Sequence, residues 1–162
     1  MISWLRYIER REVIMVLIAL LVSAPLGGRT VAGTAPALSV AIPDFRGERG
    51  HDLAVAIASD LRDSGRFTPL DPGRYGGMPV NSGPVPEFER WRGLKVECLV
   101  TGLVALQPDG RLKVEFRLWD VAAGQHLDGA QYFLAPDQWH QVSRVIADAI
   151  FEKMTGQSRP AK

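Results

Sequence analysis

The chain has 162 residues, 46% of them hydrophobic, with 19 lysines and arginines against 18 aspartates and glutamates. That length suits one sizeable core rather than two. A formal charge of +1 offers no basic excess to hold a phosphate backbone, so nucleic-acid binding is not expected.

The first twelve residues, MISWLRYIERRE, are polar and arginine-containing, and VIMVLIALLV over residues 13–22 is wholly apolar. Small residues, glycines and prolines follow, in the layout of an export signal. Ten apolar residues are too few for a comfortable permanent span, so no stable membrane span is expected after cleavage. Ala35-Pro36-Ala37 and Thr30-Val31-Ala32 are both candidate cut sites. Residues 1–37 are assigned to the signal and a short lead-in, 38–156 to one domain, and 157–162 to a disordered tail. The leader carries four arginines against two glutamates, so its removal takes the formal charge to −1. Cys98 is the only cysteine. It cannot form an intrachain disulfide and is expected to be a small buried hydrophobe.

Ala37–Phe45 is nearly continuous apolar sequence and predicts a strand covered on both faces. His51–Ser64 follows with Leu53, Ile57 and Leu61 at helical spacing. Asp52 suits the first turn of that helix, and Gly65 suits its stop. Arg66–Leu70 predicts a short edge strand in which Pro69 is tolerable. The glycine- and proline-rich run DPGRYGGMPVNSGPVP predicts a surface loop. Glu87–Leu94 predicts two helical turns anchored by Phe88 and Trp91.

Val96–Leu106 alternates with Cys98, Val100, Val104 and Leu106 on one side. Gly102 removes bulk from the middle of that side, where another element can approach closely. Pro108-Asp109-Gly110 is a turn signal. In Arg111–Val121, Leu112, Val114, Phe116 and Leu118 face one way and Lys113, Glu115 and Arg117 the other. Trp119 falls on the polar side, so that face is not wholly wet. Ala122–Gln125 turns the chain and Leu127–Leu134 completes a three-stranded meander. Pro136 opens the last helix. Its stripe runs through Trp139, Val142, Val145 or Ile146, Ala149, Ile150 and Met154, and Gly156 ends it. The stripe is expected to roof one sheet face.

Five blocks carry a family resemblance: VAIPDF; IASDLRDSGRFTPLD; Trp91 in its short helix; VTGLVALQPDGRLKVEFRLWDVAAGQ; and QYFLAPDQWHQVSRVIADAIFEKMTG. In order and spacing they resemble the amino-terminal domain of the TolB family, from about Leu38 to Gly156. Asp60–Asp71 and Asp120–Leu127 are the most specific stretches. The resemblance implies an α/β fold, a mixed β-sheet packed by two long helices, similar to the anticodon-binding domains of some tRNA synthetases. It also implies a periplasmic role in the Tol-Pal system, which supports outer-membrane integrity and cell division. Family members continue into a six-bladed β-propeller that docks the peptidoglycan-associated lipoprotein, and their mature amino-terminal tail binds TolA. This chain ends where the propeller would start, and GGRTVAGTAPA replaces the β-branched tail. No binding residue for either partner is therefore carried over.

No catalytic constellation is expected. His51, His126 and His140 are widely spaced, and a metal site needs three or four convergent ligands. Asp60 lies beside the apolar stripe of its helix, where its carboxylate is expected to accept amides or to pair with an arginine such as Arg62 or Arg66. GERG at residues 47–50 lacks the length and ending of a phosphate loop. The expected function is a non-enzymatic envelope interaction module whose partners are proteins, Tol-Pal components among them. No cofactor and no small-molecule substrate are expected. The candidate contact residues are Tyr75, Met78 and Val80 on the Tyr75–Pro86 loop, and Trp119. The alternatives are a truncated, nonfunctional fragment of a TolB-like protein and a small periplasmic enzyme.

Overall fold

The computed structural model describes residues 36–76 and 85–159. Ten elements resolve into one five-stranded sheet, three α-helices and two short 3-10 turns. The strands are β1 (Leu38–Ala41), β2 (Phe67–Pro69), β3 (Cys98–Leu106), β4 (Leu112–Asp120) and β5 (Gln125–Leu134). The helices are α1 (Gly50–Asp63), α2 (Phe88–Gly93) and α3 (Trp139–Thr155). The spatial order is β2-β1-β3-β4-β5. β1 runs parallel to both β2 and β3, while β3, β4 and β5 form an antiparallel meander. This is the mixed α/β sheet that the alternation of the second half and the helical spacing of the first half require.

One face of the sheet is closed by the two long helices. Val40, Val100, Phe116 and Leu118 from the strands meet Leu53, Ile57 and Leu61 of α1 and Ile146 and Ile150 of α3 in the main core. Cys98 is buried there, as expected of a lone apolar cysteine. Gly102 is where the sheet is approached most closely. A Cβ at this position would overlap the Phe45 ring and the Glu115 carbonyl oxygen.

The β1–α1 connection lies against β3, with Arg46 N donating to Gly102 O (3.0 Å) and Val104 N donating to Arg46 O (2.7 Å). Gly47 sits there at φ 96° with Val104 O where a Cβ would go. A side chain is excluded by space and backbone together.

Four details differ from the sequence expectation. β1 ends at Ala41, because the chain leaves the ladder at Pro43 and rejoins β3 through a single bridge at Arg46. Leu106 is 63% exposed, since it closes β3 beyond the reach of the helices. Pro136 opens a 3-10 turn that precedes α3 rather than α3 itself, while of the two stripe alternatives it is Ile146 that faces the core. Asp60 is met by Arg159 rather than by Arg62 or Arg66. The Arg159 guanidinium donates to Asp60 O (3.1 Å) and to Asp148 Oδ1 (2.5 Å), so one side chain clasps the carboxyl-terminal parts of α1 and α3.

Candidate functional site

The opposite face of the sheet is only half covered. At its β1 end, α2 and the stretch after β2 lay a second apolar cluster on Ala41, Leu99, Trp119 and Val121. Tyr75, Trp91 and Val96 are its other buried members. This cluster takes in two of the candidate contact residues, Tyr75 and Trp119. Met78 and Val80 lie outside the described residues.

Tyr75 follows a 3-10 turn capped by Asp71, whose Oδ1 accepts from Gly73 N (2.7 Å). Its side chain is 7% exposed. The ring packs at 5.5 Å from that of Trp91, and the hydroxyl donates to Ile42 O at 3.2 Å. Burial, followed by the nearby Asp44 and Asp71 carboxylates, pushes its hydroxyl up to about 12. Val85 is 57% exposed, and α2 then returns Trp91 to the cluster. Both ends of the loop are therefore fixed to one buried aromatic pair.

Trp119 is 6% exposed. Its indole N–H donates to the buried Thr101 hydroxyl at 3.0 Å, which supplies the partner that a buried indole requires. Phe88 of α2 and His126 of β5 approach its ring edge-on at 5.8 and 5.1 Å. The ladder shifts register between Leu118 and Trp119, where His126 comes opposite the indole. Arg92 fastens α2 to the β4–β5 turn by donating to Val121 O (3.0 Å) and Ala122 O (3.2 Å). Sequence reasoning placed Trp119 on the polar face but did not find its acceptor. The signal was Thr101, a hydroxyl residue two positions from Leu99 on the same strand face.

Beyond this cluster no described element covers the face. Along β4 it carries Lys113, Glu115 and Arg117, and along β5 it carries Gly129, Gln131 and Phe133. Glu115 accepts from Arg117 (2.8 Å) and Gln131 (3.2 Å), with Lys113 Nζ at 3.4 Å. A concavity of about 210 Å³ opens here between Glu115, Arg117, His126, Gly129 and Gln131. Its sequence signature was weak, because the residues come from two strands joined only by the register.

The three histidines do not converge. His51 pairs with Asp44 at 3.0 Å on an exposed rim, whereas His126 and His140 stand on β5 and α3. Burial, then Glu97 and Asp120, pushes the Cys98 thiol up to about 12, as befits a buried structural thiol. Among the described residues no three histidines, cysteines or carboxylates lie close enough to hold a metal ion, and no helix is long and apolar enough to cross a membrane.

Residues 30–127 match the family model of the TolB amino-terminal domain. Among solved structures the chain is similar to TolB from Acinetobacter baumannii, with 27% identity and a TM-score of 0.64 over 75% of this chain and 29% of that one. It is also similar to the PelC dodecamer from Paraburkholderia phytofirmans (17% identity, TM-score 0.44, 76% of this chain and 89% of that one). The carboxy-terminal domain of LpoB from Escherichia coli is a further match (11% identity, TM-score 0.46, 61% and 82%). The chain spans less than a third of the Acinetobacter TolB chain that it matches.

Proposed function

The chain belongs to the TolB amino-terminal domain family, and on that premise we propose that it is a non-enzymatic docking module of the Tol-Pal type, contributing to outer-membrane integrity and cell division. Family membership makes it a periplasmic protein with an interaction role. The finer reading is supported by one observation above the others. The loop that follows Tyr75 leaves from, and returns to, a buried aromatic cluster. Anchoring both ends of a loop lowers the ordering cost of presenting what lies between them to a partner. Met78 and Val80 are then the contact residues, and Tyr75 and Trp119 are the anchors that hold their frame.

The exported chain, immobilised and challenged with envelope extract, should retain a Tol-Pal component. A Met78→Asp/Val80→Asp variant should lose that component while keeping its unfolding midpoint. Retention of no Tol-Pal protein above the blank matrix would remove the specific assignment. Equal retention by the doubly charged variant would remove the loop from it.

A further inference from the structure

The two edges of the sheet are built differently. β2 offers three residues, one of them Pro69, which lacks an amide. That is a blunted edge of the sort that prevents strand pairing. β5 offers ten residues with no proline and no lysine or arginine, and among the described residues no strand lies on its outer side. From Gly129 to Leu134 (GAQYFL) it is uncharged and rich in strand-forming types.

The geometry points to a second copy of this chain as the occupant of the β5 edge, joined by antiparallel β5–β5 pairing about a two-fold axis at Gln131. This inference goes beyond the docking role proposed above and does not depend on it.

The register is fixed by shape. The Phe116 carbonyl is turned toward β5, since a Cβ on Gly129 would lie 2.8 Å from its oxygen. Its ladder partner is Ala130. Residues flanking such a pair direct their amides and carbonyls away from the ladder, so Gly129, Gln131 and Phe133 face outward. The Gly129 amide accordingly donates to the Asp128 carboxylate (2.8 Å). An axis at Gln131 lets all three outward residues pair, Gln131 with its own copy and Gly129 with Phe133.

The side chains fit the same register. Phe133 is 51% exposed, and it would stand over Gly129 of the other copy, where the concavity beside Arg117 and His126 lies. A cavity of about 150 Å³ accommodates benzene, so about 210 Å³ has room for the phenyl ring. Aromatic cover of an edge glycine is a known stabilising cross-strand pair. On the helix-side face Ala130 comes opposite Tyr132, again small against large. Asp128, the one carboxylate of the strand, comes opposite Leu134, so no like charges meet. A pairing confined to one strand edge is smaller than a standard interface of roughly 1,600 Å², which implies weak association.

Single cysteines in the exported, purified chain test the register, because the native Cys98 is buried. Gln131→Cys places two Cα atoms about 5.5 Å apart, within disulfide reach. Phe133→Cys leaves its copies offset by four residues, roughly 13 Å, and Thr68→Cys sits on the other edge. Mild oxidation should therefore give a homodimer for Gln131→Cys alone. Sedimentation velocity of the unaltered chain should show reversible dimerisation, and Gln131→Lys should weaken it by about tenfold or more with an unchanged melt. A monomer up to millimolar concentration would overturn the proposal, and this measurement stands even if a variant fails to fold. Equal cross-linking at 131 and 133 would also overturn it. So would capture at position 131 of an extended segment of another envelope protein in place of the second copy.

Discussion

Replacing Gly102 with alanine tests the packing on which the sheet depends. The added methyl would overlap the Phe45 ring on one side and the Glu115 carbonyl oxygen on the other. Neither neighbour can yield cheaply. Phe45 is 3% exposed, and its successor Arg46 is hydrogen-bonded to the carbonyl of Gly102 itself (3.0 Å). The Glu115 carbonyl belongs to the β3–β4 ladder. Overpacking a filled core costs about 1–3 kcal/mol, and a clash shared between a ring and a backbone oxygen belongs at the upper end, about 3 kcal/mol. That is a large share of the roughly 5–15 kcal/mol that holds a domain folded.

Urea unfolding should show a lower midpoint with an unchanged m-value. Phe45→Ala alone should cost about 3–5 kcal/mol. The double variant should cost less than the sum by at least about 1 kcal/mol, because the vacated ring space takes the new methyl. The Glu115 overlap survives, so the rescue stays partial. A Gly102→Ala protein within about 0.5 kcal/mol of the parent, or strict additivity of the two changes, would refute this account of the β3–β1 approach.

Arg159→Ala should cost about 1–2 kcal/mol in urea unfolding, because it releases a charge-assisted clasp between α1 and α3. Arg159→Lys should not restore it, since one ammonium cannot span both acceptors as a guanidinium does. Trp119→Phe keeps an aromatic ring but removes the N–H that satisfies Thr101, and should cost about 1–2 kcal/mol in urea unfolding. Alkali should destabilise the fold in a defined window. The Cys98 thiol is raised from 9.0 to about 12, so above pH 9 the unfolded chain sheds a proton that the native one keeps. Stability is therefore full below pH 9 and falls, by up to about 1.4 kcal/mol per pH unit, until pH 12. Tyr75 adds to the slope between pH 10 and about 12. Cys98→Ala should flatten the early part of a midpoint-against-pH curve, and an unchanged curve would contradict the burial argument.

The regular elements were legible because their signals are local. Alternation along Arg111–Val121 gave β4, and the Leu53-Ile57-Leu61 spacing gave α1. Gly102 even announced the close approach, although nothing local named Phe45 as the neighbour. What stayed hidden depends on distant residues meeting. Arg159 lies outside the last periodic helix, so nothing local named it as the arginine that would meet Asp60, and Asp148 gave no sign of joining them. Phe151 faces Phe67 of the edge strand at 6.1 Å, yet it sits on the flank of the α3 stripe traced from Trp139 to Met154. The candidate contacts divide for the same reason. Trp119 showed itself as an aromatic on a polar face, but its burial follows from α2 folding over it, which the sequence of β4 does not contain.

The open half of the second face carries a charged strip, and Glu115 holds it together. Its side chain is 17% exposed and stands between Lys113 and Arg117 on the same strand face, with Gln131 reaching it across the ladder. Period-two spacing makes these three β4 residues neighbours, so without the carboxylate the two cations would repel along a rigid strand. Glu115→Gln keeps the shape and removes the charge. It should therefore cost about 1–2 kcal/mol at low salt, and the loss should shrink as ionic strength rises and screens the lysine–arginine repulsion. Urea midpoints at low and at 1 M salt decide the point. A salt-independent loss would mean that Glu115 acts through its hydrogen bonds alone, and that the strip is held by ladder geometry rather than by charge.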